Sequence, residues 1–212
     1  MRIILFSFSF LFAQSLDVTF RYVENPNDDF VRVFVPGTMP SGTSNDWGPN
    51  SNGMISPNAL SKMTYNQTTD SYEKTYSLNV GDEHLYKIHF HHNSSGSDYT
   101  WIPDPLNPLT TDDNWTNSIL QVSDPLFFQI ARHISANGDV YGLSAGIFSS
   151  TGVDSIRYST LADTLSGSEY YYDNGVLYIP FDSYLTVYDP IWVQALINGE
   201  WNTVCNFGEI EI

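Results

Sequence analysis

The chain has 212 residues, and its 24 Asp and Glu against 8 Lys and Arg give a formal net charge of -16 at pH 7. Such a charge repels phosphate backbones and anionic lipid, which excludes nucleic acids and membrane surfaces as the main partners. The length suits one large or two small β domains. Because Cys205 is the only cysteine, no internal disulfide supports their cores.

The N-terminal segment has the layout of a secretory signal peptide. Arg2 precedes an apolar run from Ile3 to Phe12, and the small residue Ala13 stands just before Gln14. The run is too short to span a bilayer. We therefore predict that residues 1–13 are a signal peptide, that the mature chain begins close to Gln14, and that the protein is exported.

Apolar residues alternate with polar ones along the next part of the chain, and this period of two predicts antiparallel strands. No sustained helical period is present. Of the strands predicted ahead of Asp124, the last is SILQV, centred near Ile119. The residues predicted to face the core are Val18, Phe20 and Tyr22; Val31, Val33 and Val35; Tyr72, Tyr76 and Leu78; and Tyr86, Ile88 and Phe90.

A second set of strands is predicted beyond the segment VSDPLFF, where Asp124-Pro125 separates the two sets. Asn-Gly pairs are strong signals for tight hairpin turns. Three of them follow, at Asn137-Gly138, Asn174-Gly175 and Asn198-Gly199. The sequence therefore predicts an all-β protein of two antiparallel sandwiches in series, residues 16–123 and 124–212, each folding separately.

The strand that contains HLYKIHFHH has a distinctive polar face. Lys87, His89 and His91 alternate with its apolar residues and so share the other face, which we interpret as solvent-exposed. His89 and His91 could reach a common metal ion. No third ligand is indicated, because His92 points the other way, so no metal site is predicted.

The sequence contains no pattern typical of a catalytic site. No paired-carboxylate arrangement, Gly-x-Ser-x-Gly turn or Cys/His pair is recognisable in the sequence. We therefore predict no catalytic residue and no cofactor on this chain.

Five landmarks along the first half carry a resemblance to a known family. They are VFVPG ending in Gly37, NDW ending in Trp47, LYKIHF holding Lys87, WIPDP beginning at Trp101, and NSILQV beginning at Asn117. In their order and spacing, the segment from Leu16 to about Val122 resembles carbohydrate-binding module family 48. That family includes the glycogen-binding domain of the AMP-activated protein kinase β subunit and N-terminal domains of starch-debranching enzymes. The resemblance implies an immunoglobulin-like sandwich that binds α-glucans.

Residue by residue, the sugar site of that family falls on Trp47, Lys87, Trp101 and Asn117. A glucose ring has C–H groups on its faces and hydroxyls round its rim, so indoles can cover the faces while Lys and Asn bind the rim. The segment GTMPSGTSNDW departs from the family's Gly-x-Phe-Asn-x-Trp pattern, which leaves Trp47 open to displacement. Trp115 either adds a stacking surface or caps the core.

Each assignment has a structural alternative. Tryptophans in sandwiches are more often core or rim residues than ligand platforms, so a core role for Trp47 and Trp101 stays open. Asp104-Pro105 is interpreted as structural, because the proline stiffens the turn that presents Trp101. In the second half, Trp192, Trp201 and residues 170–172 are predicted to be core, with sugar contacts or a domain interface as alternatives.

The resemblance also implies a biological context. Two such sandwiches behind a signal peptide resemble the N-terminal part of an exported bacterial α-amylase or pullulanase of glycoside hydrolase family 13. This chain would then bind starch, glycogen or maltooligosaccharides without cleaving them, and a C-terminal barrel outside it would be catalytic. The alternatives are a stand-alone surface glycan-binding or adhesion protein, and a hydrolase site hidden in the sandwich.

Overall fold

The computed structural model describes residues 14–26, 28–39, 47–48, 50–159, 164–165, 170–185 and 191–206. Within these ranges the chain forms antiparallel strands and no helix, which confirms the predicted all-β fold. It follows that this part of the chain contains no helix able to cross a membrane. The predicted signal peptide and residues 40–46 of the GTMPSGTSNDW segment lie outside the described residues.

The described strands of the first half pair as β1-β6-β5, β2-β8-β9, β10-β7 and β3-β4. Their bounds are β1 (Ser15–Tyr22), β2 (Arg32–Phe34), β3 (Asn50–Ser51), β4 (Met54–Ile55), β5 (Thr64–Asn66), β6 (Ser71–Asn79), β7 (Glu83–Tyr86), β8 (Ile88–His91), β9 (Tyr99–Ile102) and β10 (Ser118–Gln121). The sequence predicted β7 and β8 as one strand. They are interrupted at Lys87, whose backbone N–H donates to the Pro36 carbonyl at 3.1 Å.

The described strands of the second half form two sheets, β11-β12-β16-β15 and β14-β13-β17-β18. Their bounds are β11 (Leu126–Ile134), β12 (Val140–Phe148), β13 (Ser155–Ser159), β14 (Thr164–Leu165), β15 (Tyr171–Asp173), β16 (Val176–Leu185), β17 (Trp192–Ile197) and β18 (Glu200–Asn206). All three predicted Asn-Gly pairs join consecutive strands. At Asn174-Gly175 and Asn198-Gly199 both residues have positive φ, as a type I′ hairpin requires.

Each half has its own hydrophobic core. The residues predicted to face the first core are buried, with two differences: Tyr72 is only partly buried, and Val31 is 54% exposed because it precedes β2. Leu126 and Phe148, which belong to the second half, complete the first core. The first core therefore extends beyond the predicted boundary at Ser123 and includes two residues of the second half.

Strand β1 is buried on both of its faces, and this joins the two halves. Thr19 and Arg21, on the face away from the first core, are 2% and 0% exposed. The Thr19 hydroxyl donates to the Asn174 carbonyl at 3.2 Å, and Arg21 Nη1 donates to the Leu177 carbonyl at 3.3 Å. The outer face of β1 thus lies against the second half through polar contacts.

A third, small core lies on the other side of sheet β2-β8-β9. It consists of Phe34, Ile55 and Ala59, with Trp101 packed against it. His89 and His91 point into this region and are 0% exposed, so the prediction of a solvated histidine face is wrong. The chain from β4 to Ala59 folds over that face. The alternation of polar and apolar residues indicated that the two faces of β8 differ. In the structure, other parts of the chain cover both faces.

Candidate functional site

A surface pocket of about 610 Å³ lies on the first half and is lined by all five predicted site residues. They are Trp47, Lys87, Trp101, Trp115 and Asn117. Trp47 reaches the pocket despite the residues inserted ahead of it. Four further lining residues were not predicted: Asn50, Gly53, Leu85 and Tyr99.

Trp101 is held in place from two directions. It lies on β9 opposite His89 of β8, and the indole and imidazole centroids are 4.3 Å apart. Its indole Nε1–H donates to the Gly53 carbonyl at 2.8 Å. The side chain is half-buried against the small core, while part of it lines the pocket. Trp101 is therefore a fixed surface rather than a mobile one.

The carbonyl that holds Trp101 belongs to a hairpin turn at Asn52-Gly53, which joins β3 to β4. Both residues have positive φ, 53° and 85°, as in a type I′ turn. The Tyr99 hydroxyl donates to the Asn52 carbonyl at 2.8 Å. A Cβ at Gly53 would lie 2.8 Å from that hydroxyl, so a larger residue there would require Tyr99 to move. The Asn-Gly pair in SNGMI is the sequence signal that could have identified this turn.

Trp47 and Trp115 complete the aromatic lining. The ring centroids of Trp47 and Trp101 are 6.5 Å apart, with their planes inclined by 56°. Trp115 is 73% exposed, so it does not cap the core. Its backbone N–H donates to Asp113 Oδ1 at 3.0 Å, which shapes the loop that presents the indole to solvent.

The polar lining residues are fixed through their backbones. The Asn117 N–H donates to the Thr111 hydroxyl at 2.9 Å, and Thr111 in turn donates to Asp113. That hydroxyl hydrogen bond lowers the pKa of Asp113, and the positive charge of Lys87 acts in the same direction. Lys87 is half-buried at the interruption between β7 and β8. It is the one charged side chain among the described residues that line the pocket.

Asp104 has the structural role predicted for Asp104-Pro105. Its carboxylate is 3% exposed and accepts a hydrogen bond from the Tyr86 hydroxyl at 2.8 Å. Its backbone N–H donates to the Ser118 hydroxyl at 2.7 Å. These bonds tie the chain that follows Trp101 to the core of the first half.

A second group of polar residues, which was not predicted, lies between the two halves. The Ser144 hydroxyl is 3.1 Å from His133 Nε2, and His133 Nδ1 is 3.7 Å from Asp70 Oδ2. Asp70 also accepts hydrogen bonds from the hydroxyls of Tyr65 and Tyr141. The order serine, histidine, aspartate is that of a hydrolase triad.

The burial of this group decides its role. Ser144 is 1% exposed and His133 is 0% exposed, so no substrate reaches the serine oxygen. Burial lowers the pKa of His133 to about 4, and the neighbouring Arg21 charge adds to the effect, although Asp70 opposes it. The imidazole is therefore neutral at pH 7. The group connects the halves through Asp70 of the first and His133 of the second.

The second half carries exposed aromatic residues where core residues were predicted. Trp192 and Trp201 are each 40% exposed and Tyr171 is 53% exposed, so the core prediction is wrong for these three. Tyr170 and Tyr172 are partly buried against the second core. The run IWVQALI is apolar enough to suggest full burial, but one face of β17 lies open to solvent.

Among the described residues, no group of three or more His, Cys, Asp or Glu side chains is placed to hold a metal ion. No protein-family model matches the chain, and neither does any curated protein or solved structure. The resemblance to carbohydrate-binding module family 48 rests on the five sequence landmarks alone.

Proposed function

We propose that this chain binds neutral α-glucans, such as starch, glycogen and maltooligosaccharides, in the pocket of the first half. The observation that carries the proposal is that the four residues selected from sequence landmarks, and Trp115 from the neighbouring loop, line a single pocket. They are spread from Trp47 to Asn117 and lie on separate loops and strands. Such convergence is expected of a ligand site and not of residues retained for separate structural reasons.

The chemistry of the lining suits a sugar chain. The indoles of Trp47, Trp101 and Trp115 offer apolar surfaces at different inclinations to the C–H faces of pyranose rings. The Lys87 amine and the amides of Asn50 and Asn117 supply hydrogen-bonding groups for hydroxyls. With one positive charge at the pocket and a net charge of -16 on the chain, a neutral ligand is favoured over a polyanion.

We propose binding without cleavage. Glycoside hydrolysis generally uses two carboxyl groups that flank the scissile bond. The side chains described around this pocket are aromatic, aliphatic and amide groups with one amine. The serine of the Ser144–His133–Asp70 group is enclosed between the halves, which argues against the hidden-hydrolase alternative.

The sequence resemblance supports a wider proposal about context. The chain would be the accessory part of an exported bacterial α-amylase or pullulanase, linked to a C-terminal catalytic barrel. A stand-alone surface glycan-binding or adhesion protein is the alternative. Reading the gene beyond Ile212 distinguishes them, because a region of alternating strands and helices with catalytic carboxylates supports the enzyme.

Mass spectrometry of the exported protein tests the predicted N-terminus near Gln14.

Isothermal titration of the purified chain with maltoheptaose tests the function directly. We expect saturable binding to maltoheptaose and much weaker binding to cellohexaose, which has the same sugar in β linkage. Absence of binding to maltoheptaose would refute the proposal. Sustained glucose release from soluble starch would show instead that the chain is an enzyme.

A further inference from the structure

We propose that the second half carries a separate glucan-binding surface on the outward face of sheet β14-β13-β17-β18. We call it the tryptophan face, and its residues are Arg157, Trp192, Gln194, Leu196, Trp201 and Thr203. The inference rests on the proposed function, since it assigns the same class of ligand, a neutral α-glucan chain, to a second place on the molecule.

The distribution of tryptophans is the first observation. The chain has 5 tryptophans, and none of them belongs to the buried cores. Three line the pocket of the first half, and the other two, Trp192 and Trp201, lie on one sheet face of the second half. Tryptophan is on average a highly buried residue. Trp192 and Trp201, each 40% exposed, are therefore available for contacts outside the chain.

Strand alternation places the two indoles on the same face. On β17, Val193, Ala195 and Ile197 are buried in the second core, so Trp192, Gln194 and the half-buried Leu196 point outward. On β18, Trp201 pairs with Leu196, four positions along β17 from Trp192. At about 3.4 Å per residue, the two tryptophans stand roughly 14 Å apart along the sheet. A ligand that touches both must be an extended chain.

The side chains between the tryptophans are already ordered. The Arg157 guanidinium lies over the Trp201 ring, 3.9 Å from its centroid, and Arg157 Nε donates to Gln194 Oε1 at 2.7 Å. Gln194 is directly opposite both Arg157 and Thr203 in the strand register. An arginine has five N–H donors, and the bond to Gln194 uses one of them. The surface therefore presents fixed hydrogen-bond donors between two apolar platforms.

The composition of the face matches that of the pocket. In the pocket an indole stands beside a lysine and amides, and on the tryptophan face Trp201 stands beside Arg157 and Gln194. The charge of the chain, -16, disfavours anionic polymers, and the single guanidinium is stacked on an indole. Leu196, half-buried opposite Trp201, adds one aliphatic side chain, but Arg157, Gln194 and Thr203 interrupt the apolar surface between the indoles. The face is therefore not the continuous apolar patch typical of a protein interface. A neutral, hydroxyl-rich polymer fits best.

Binding of the full chain to insoluble starch tests the inference. The proteins compared are the parent, Trp101→Ala, the double variant Trp192→Ala/Trp201→Ala, and the variant with all three changes. Tyr171→Ala is the matched control, because Tyr171 is an equally exposed aromatic residue on the other sheet. We expect the double variant to lose affinity for insoluble starch on the order of tenfold through lost bivalency, while its titration with maltoheptaose keeps the binding event of the pocket and loses that of the tryptophan face.

The outcomes separate the two proposals. If the parent binds neither maltoheptaose nor starch, the proposed function fails, and this inference fails with it. If the parent binds but only Trp101→Ala weakens retention on starch, the inference alone is overturned. A change from dimer to monomer in the double variant, seen by sedimentation with starch binding unchanged, would show that the face is a protein interface instead.

A measurement on the unaltered protein tests the inference even if the double variant does not fold. In a ¹⁵N-labelled sample each of the 5 tryptophans gives an indole N–H resonance. Adding soluble amylose should shift the resonances of Trp192 and Trp201 as well as those of the pocket residues. If only the pocket resonances move, the inference is refuted whatever the variants do.

Discussion

The indole of Trp101 lies against the imidazole of His89, with ring centroids 4.3 Å apart and the planes inclined by 51°. His89 is itself buried beside Phe34 of the small core. The main aromatic surface of the proposed sugar site is therefore supported from behind by packed side chains. Trp115, at 73% exposure, has no such support, so the two tryptophans should respond differently to truncation.

Trp101→Ala should lower both the affinity for maltoheptaose and the stability of the fold. Loss of an indole that covers a sugar face costs about 1.5–3 kcal/mol, or about ten- to a hundredfold in affinity. The same change removes the contact with His89 and the hydrogen bond to Gly53, which should cost about 1–3 kcal/mol of stability. Titration and urea unfolding measure the two effects. An unchanged affinity would contradict the site assignment.

Trp115→Ala should lower affinity without lowering stability. The indole contacts solvent over most of its surface, so its removal leaves no cavity. If a sugar ring covers it in the complex, we expect a loss of about 1–2 kcal/mol, or about five- to thirtyfold in affinity. The melting temperature should match that of the parent. Unchanged binding to maltoheptaose would remove Trp115 from the site.

The first half shows how much of the candidate site could be predicted from the sequence. Ordered landmarks identified four lining residues, because each is attached to a recognisable strand or turn, and Trp115 was an open alternative beside them. The hairpin at Asn52-Gly53 was missed, although the same dipeptide correctly located three turns of the second half. Its strands have only two residues each, too short to show alternation. Asn50, Gly53 and Tyr99 could be joined to the site only through three-dimensional contacts.

Alternation also fails where both faces of a strand are covered. It places His89 and Ile88 on opposite faces of one strand, and Arg21 and Phe20 on opposite faces of another. It does not show which of the two faces is exposed to water. His89 is covered by the chain that follows β4, and Arg21 by the second half. Both coverings come from segments distant in sequence. The converse holds for Trp192, whose apolar neighbourhood suggested burial although no described element covers it.

Lys87→Ala should weaken sugar binding less than either tryptophan change. Its amine would bind neutral hydroxyls that also bind water, so its net contribution is about 0.5–1.5 kcal/mol, or about two- to tenfold in affinity. Lys62→Ala is the matched control, because Lys62 is exposed and lies outside the pocket. Equal effects of the two changes on titration with maltoheptaose would indicate a general charge effect and not a contact.

Gly53→Ala should damage the site through the hairpin, and Gly81→Ala provides a close control. Both glycines have positive φ, +85° and +95°, so both changes introduce a similar backbone strain of about 1–2 kcal/mol. A Cβ at Gly53 would lie 2.8 Å from the Tyr99 hydroxyl, whereas at Gly81 it would meet nothing within 4 Å. We expect both variants to be destabilised but only Gly53→Ala to lose maltoheptaose affinity. Equal affinities would show that the hairpin does not shape the pocket.

Acidification should destabilise the protein through the group that joins its halves. Burial lowers the pKa of His133 from 6.5 to about 4, so the unfolded chain takes up the proton first as the pH falls. The stabilisation is complete above about pH 6.5 and is lost between there and about pH 4, a change of about 3 kcal/mol in the free energy of unfolding. The lowered pKa values of His89 and His91 act in the same direction.

His133→Asn isolates the contribution of this one histidine, because asparagine can still bond to Ser144 but does not titrate. The free energy of unfolding in urea is measured for both proteins at pH 7, 5.5 and 4. Asp70 titrates below this window: burial raises its pKa, but hydrogen bonds from Tyr141 and Tyr65 and the His133 charge bring it below its usual value. We expect the parent to lose about 3 kcal/mol more than the variant between pH 7 and pH 4. If the parent and the variant lose the same free energy of unfolding between pH 7 and pH 4, His133 is not held neutral by its burial between the halves.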